Sequence, residues 1–219
     1  MKKASWRSAR VEFGDRSFKE KSVGLSIAGF AFKPTALGVD EEEMIHRAFG
    51  SAFHAIQAPD LDSRLPGNLA VESRNGAVFV YSSEMVEPYF FKGKAIAPSL
   101  LSALGNPGIL VVFCHYDASN SYGYIIVENG TPTRYRLYAD DETSDEGVPK
   151  EFELSWLQAE PFIEEEGEPP AYRNKQTGQI SNEASITARL LDLVMQTSFG
   201  ICPWHEWNYK TEFSWYQVR

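Results

Sequence analysis

Tyr122–Tyr138 reads YGYIIVENGTPTRYRLY, two runs of β-forming residues around Asn129-Gly130. Asn-Gly accepts positive φ at both turn positions, so the pair predicts a two-residue hairpin joining Tyr122–Glu128 to Thr131–Tyr138. Pairing outward from the turn sets Ile126 against Thr133, Tyr124 against Tyr135 and Tyr122 against Leu137, and the aromatic pairs favour that register. Pro132 then faces Val127 with its missing N–H turned away from the partner, so the outer side of this strand is expected to be an open edge. Asn75-Gly76 repeats the pattern: it joins Leu69–Arg74 to Ala77–Ser82 and places Val71 opposite Val80 and Ser73 opposite Val78.

Working outward, Ile109–Phe113 is a continuous apolar run bounded by Gly108 and Tyr116-Asp117, the pattern of a central strand covered on both faces. Val23–Phe32 reads as another strand, closed by Lys33-Pro34, and Arg10–Phe13 as a lesser one before a turn at Gly14-Asp15. Asp40 can cap a helix with Glu43 three residues on, and Ile45, Ala48, Phe49, Ala52, Phe53 and Ile56 carry its stripe toward Pro59. Pro98–Leu104 predicts a short helix before Gly105. Glu183–Phe199 predicts a long one, with Ile186, Leu190, Leu193, Val194 and Thr197 inward and Gly200 as its stop. The expected fold is therefore α+β: a mainly antiparallel sheet with two Asn-Gly hairpins, packed by two amphipathic helices and one short helix. Residues 1–219 read as a single domain with a mobile acidic loop region at 139–178.

Charge is concentrated in that region. Residues 138–168 hold twelve Asp or Glu and one basic residue, Lys150, a net −11 against −9 for the whole chain. A pI near 5.0 excludes general nucleic-acid binding, which needs clustered Lys and Arg. No apolar run approaches the roughly 20 residues that span a bilayer, and Met1–Arg7 has no apolar segment behind its lysines. With only Cys114 and Cys202, a reducing cytoplasm is the expected location, and one bridge between them stays open.

Candidate chemistry is sparse. Cys114, His115, Cys202 and His205 are zinc-type ligands, and Cys202-Pro203-Trp204-His205 has ligand-like spacing. Neighbours on a strand point to opposite faces, so Cys114 and His115 should not serve one metal. The bland reading is a buried free cysteine and a hydrogen-bonded histidine. His115 with Asp117, Ser119 and Ser121 lies at a strand end, where catalytic groups often sit, although the same residues make an ordinary polar loop. Asp141-x-Thr143-x-Asp145 begins like a calcium loop but has Glu146 for the required Gly and Phe152 for the bidentate Glu. His46 and His54, off the apolar stripe of the first helix, read as surface or boundary residues. Trp204, Trp207, Tyr209, Phe213, Trp215 and Tyr216 make the C-terminal tail aromatic, either as a strand docked on the core or as a binding surface.

The run from Gly76 through Pro98–Leu104, the buried strand ending in His115 and the hairpin into Glu146-Gly147-Val148-Pro149 resembles bacterial families of unknown function over about half the chain. That resemblance implies no particular activity. The charge logic is similar to that of acidic immunity proteins that neutralise basic nucleases. Two functions follow as expectations. One is a non-enzymatic, cofactor-free cytoplasmic binding module that engages a basic protein through Asp140, Asp141, Glu142, Asp145, Glu146, Trp204 and Trp207. The other is a small hydrolase or metal-dependent enzyme around His115 and Asp117, with Cys202 and His205 as metal ligands.

Overall fold

Ile109–Phe113 is apolar on both faces because both faces of the sheet it belongs to are covered. The structure, a computed structural model, describes residues 24–35, 40–57, 61–162, 170–207 and 211–218. Arg10–Phe13 and Gly14-Asp15 lie outside them. In chain order the elements are β1 (Ser26–Phe32), α1 (Glu41–Phe49), β2 (Phe53–Ile56), β3 (Asn68–Arg74), β4 (Ala77–Tyr81), α2 (Ser83–Phe91), α3 (Pro98–Ala103), β5 (Ile109–Tyr116), β6 (Ser121–Glu128), β7 (Thr131–Ala139), β8 (Glu142–Gly147), α4 (Leu154–Leu157), β9 (Glu160–Phe162), β10 (Ala171–Arg173), β11 (Ile180–Asn182), α5 (Glu183–Phe199) and β12 (Ser214–Val218).

The result is α+β. Nine strands form one antiparallel sheet in the order β2-β12-β3-β4-β1-β5-β6-β7-β8, and β9, β10 and β11 form a small second sheet. Phe30 and Phe32 of β1 and Leu110 and Val112 of β5 pack under α1, α2 and α3. Ile27 and Ala31 of β1 and Val111 and Phe113 of β5 pack under α5 through Ile186, Leu190 and Val194. Strand β1 runs close to β4 at Gly29, where an added Cβ would sit 2.0 Å from the Val80 carbonyl oxygen, so only glycine fits. Among the described residues no helix is long and apolar enough to cross a membrane.

Helix α5 spans Glu183–Phe199 as its pattern predicts, capped by the Asn182 side chain on the Ser185 N–H and ended by left-handed Gly200. Its buried face also takes in Leu191 and Met195, whereas Thr197 is exposed. Asp40 caps α1 on the Glu43 N–H at 2.9 Å. That helix stops at Phe49 rather than continuing toward Pro59, because Gly50 takes φ +118° and residues 53–56 become strand β2. The end of the aromatic tail becomes a strand, and Tyr209 lies outside the described residues. β12 lies between β2 and β3, buries Tyr216, and leaves Trp207, Phe213 and Trp215 half-buried on the α5 face.

The first Asn-Gly hairpin has the expected register, Val71 opposite Val80 and Ser73 opposite Val78. The second departs from it. Val127 faces Pro132 as expected, but a bulge at Thr133 then shifts the ladder by one, so Arg134 faces Ile126, Arg136 faces Tyr124 and Leu137 faces Gly123. One residue of slip exchanges the faces of a strand. It turns Tyr135 toward Phe90, under the α2 side, and turns Arg134 and Arg136 inward under α5.

Two buried guanidiniums require counter-charges. The Arg134 Nε reaches Glu153 at 2.9 and 3.0 Å, and both side chains are 0% exposed. Asp145 bridges Arg134 and Arg136, Glu183 of α5 holds Arg136, and Tyr124 donates to Glu153. Burial alone would raise the Asp145 carboxyl; the two guanidiniums outweigh it and hold it below the ordinary carboxylate range. The part of the acidic segment from Glu142 to Gly147 is therefore strand rather than loop. Residues 142–147 pair with β7 from Arg134 to Ala139, so the edge expected to be open is covered from Arg134 onward. Asp140 and Asp141, at φ +52° and +60°, make the two-residue turn between them. Further along, 154–157 is helical and 171–173 is strand.

Glu153→Ala should cost about 3–5 kcal/mol of unfolding free energy, read by urea denaturation, because it strands a buried charge. Replacing Arg134→Met and Glu153→Leu together should recover most of that loss. A single variant as stable as the parent would show that Arg134 is solvated.

Candidate functional site

Four of the residues picked out by type meet at one end of the α5 face. β5 delivers His115 and the turn after it delivers Asp117; the segment after α5 delivers Cys202 and His205. Gly200 ends α5 in a left-handed turn and sends the chain back, and Pro203 starts the single turn that carries Trp204 and His205. Trp204 is buried at the centre, 6.0 Å from the His115 ring and 6.4 Å from the His205 ring between centroids.

The residue that organises this cluster is Asp192, in the middle of α5. Its Oδ1 accepts the Trp204 Nε1–H at 3.0 Å and the Cys202 thiol at 3.4 Å. Its Oδ2 stands 3.1 Å from the His205 Nε2. The donor atoms of Asp192, Cys202 and His205 all lie within 4.8 Å of one another. Cys202 is buried, Asp192 is 27% exposed and His205 57%, so the cluster is closed on the protein side and open to solvent on the other. Burial and the neighbouring Asp192 charge push the Cys202 thiol well up, against a smaller pull from the His205 backbone N–H. A free thiolate nucleophile is therefore not the resting form.

Beside it, Asp117 is fixed by two donors, the Leu25 N–H at 2.6 Å and the Tyr122 hydroxyl at 3.2 Å. Burial and Asp117 together raise the Tyr122 phenol to about 12. The His115 Nδ1 is 3.3 Å from the Asp117 Oδ1, yet the two are not aimed as a hydrogen bond, and this buried nitrogen has no other partner among the described residues. Burial lowers the His115 imidazole below its usual value despite Asp117 and Asp192 nearby, which keeps it neutral near pH 7.

Cys114 stays out of this site. It is buried on the opposite face of the sheet, as strand alternation requires, and both cysteines are free thiols. Trp207 is held by the buried Glu72 carboxylate, which accepts its Nε1–H at 2.9 Å and the Tyr81 hydroxyl at 3.0 Å. It belongs to the packing of the tail. Of the acidic candidates, Asp145 is turned inward onto arginine, while Asp140, Asp141, Glu142 and Glu146 are exposed and make no ion pair with Lys or Arg among the described residues. His54 is on β2, not on the first helix.

No sequence motif marks Asp192. The signal was a lone carboxylate inside Leu190-Leu191-Asp192-Leu193-Val194, where a polar residue interrupts an apolar run. The chain matches no known family model, no curated protein and no solved structure.

Asp192→Ala removes the common acceptor of Trp204 and Cys202. It should destabilise the protein by about 1–3 kcal/mol and shift the tryptophan emission. Unchanged stability together with unchanged emission would show that Asp192 does not hold this turn.

Proposed function

We propose that the chain binds a divalent cation of the zinc class through Asp192, Cys202 and His205, with His115 and Asp117 beside the ion as a proton-handling pair. The observation that supports this is the convergence of a thiol, a carboxylate and an imidazole from two elements around one solvent-open point. Thiolate plus imidazole selects zinc over the hard cations calcium and magnesium. A dication also balances the charge: Cys202 as thiolate and Asp192 as carboxylate supply two negative charges, and the thiol proton is released on binding. The Trp204 Nε1–H on Asp192 would orient that ligand from outside the first coordination sphere. Three protein ligands with one open position is the pattern of hydrolytic zinc centres, in which the ion brings the pKa of a bound water down to about 7. His115, neutral and next to Asp117, is the group placed to take a proton there.

Elemental analysis of protein purified without chelator should find one equivalent of zinc at this site, lost in Cys202→Ser and in His205→Ala. Metal-free protein that takes up no zinc from solution would sink the reading.

A second reading has its own observation. Asp140, Asp141, Glu142 and Glu146 line the exposed turn and edge strand β8 without a basic ion-pair partner among the described residues. A basic protein could dock there, with association speeded by charge and weakened by salt. The quadruple Asn and Gln variant should lower the association rate for such a partner and flatten its salt dependence. Binding indifferent to these four changes would rule this surface out.

A further inference from the structure

All four histidines of the chain stand in two groups, and the second group is separate from the site above. We infer that Glu42, His46 and His54 form a second transition-metal site, of imidazole–carboxylate type, independent of the Asp192 centre. The Asp40 cap fixes the start of α1, which puts Glu42 and His46 one turn apart on the same face. Gly50 then ends the helix, its N–H on the His46 carbonyl at 3.1 Å. The Phe53 N–H closes the turn on the Gly50 carbonyl at 3.3 Å, and β2 brings His54 back beside His46 with ring centroids 6.2 Å apart.

The donor atoms of the three side chains lie within 4.8 Å of one another. The His46 Nε2 is 2.6 Å from the Phe53 carbonyl oxygen, an acceptor only, so that nitrogen carries the proton. The same Nε2 lies 3.8 Å from the Glu42 Oε1, so an ion between them would displace its proton and its contact with Phe53. Glu42 is 49% exposed and has no Lys or Arg ion pair among the described residues, only the 3.8 Å contact with His46. Two imidazoles and one carboxylate, with no thiolate, suit zinc, nickel, copper or ferrous iron rather than calcium. The helix carrying this group packs on the face of the sheet opposite α5, so the two sites share no residue and no supporting element. A bound ion would tie α1 to β2, the edge strand that covers the C-terminal strand β12.

The test titrates the metal-free full-length chain with zinc by calorimetry and with cobalt by absorption. Two equivalents should bind, and only the Cys202 site should give a sulfur-to-cobalt charge-transfer band. Cys202→Ser should abolish that band and leave one zinc equivalent. Glu42→Gln and His54→Ala should each weaken the other equivalent by at least about tenfold while the band stays. Circular dichroism and the unfolding midpoint check that each variant is folded, and His54→Gln substitutes if His54→Ala is not. A folded Cys202→Ser chain that binds no zinc, or one whose zinc affinity is unmoved by changing Glu42 and His54, overturns the second site whatever becomes of the first.

Discussion

The fold turns on the burial of Arg134. A guanidinium with no solvent exposure costs several kcal/mol to desolvate, and it is tolerated only where carboxylates replace the lost water. Arg134 takes one from each of two later segments: Asp145 of β8 and Glu153 before α4. Those contacts dock β8 along β7 and bring the turn at Lys150–Glu153 against the sheet, where the Lys150 amine also meets Glu128 at 2.7 Å. Arg136 extends the same network to Glu183 at the start of α5. The acidic stretch is thus in part the counter-charge of two arginines that precede it in the chain. Its density reads as surplus until the burial of those arginines is known.

Their inward turn follows from a one-residue shift of the expected register, and that shift shows what local patterns can carry. Asn75-Gly76 and Asn129-Gly130 both make the turns their chemistry favours, and the first hairpin keeps its pairing along its length. The second slips at Thr133, beside Pro132, where the proline has already removed one ladder donor. Nothing in the alternation of Thr133-Arg134-Tyr135-Arg136-Leu137 distinguishes the two registers: each offers one face with two large apolar groups and one with two arginines. The choice is made at a distance, by Asp145, Glu153 and Glu183. The third hairpin was hidden for a related reason. Asp140-Asp141 adopts the left-handed conformation that Asn-Gly signals, but an Asp pair inside a charge run reads as solvated loop. Helix α2 was hidden by Pro88 in its interior, and the end of α1 by apolar residues that continue at helical spacing into β2.

The candidate site divides along similar lines. Cys202, His205, His115 and Asp117 were legible because their side chains are scarce and chemically pointed; their meeting was not, since β5 and the segment after α5 are far apart in sequence. Trp204 is buried among them, against Phe113 and His115. Asp192 is the residue that pattern alone undervalues, because a single Asp on an amphipathic helix is ordinary. It gains meaning only when the turn after Gly200 folds three donors back onto it.

Charge is the reason we propose a cation site at the Asp192 cluster rather than a catalytic triad. A cysteine nucleophile needs its thiolate favoured, by an imidazolium, a helix N-terminus or a basic neighbour. Cys202 has the opposite surroundings: it is buried, it follows the C-terminal end of α5, and its sulfur donates toward a carboxylate. Each of these opposes ionisation. A dication held by the three side chains of the proposed site would reverse each effect, since it would replace the proton, offset the helix end and engage the carboxylate. The surroundings that disqualify Cys202 as a free nucleophile are those a positive ion stabilises.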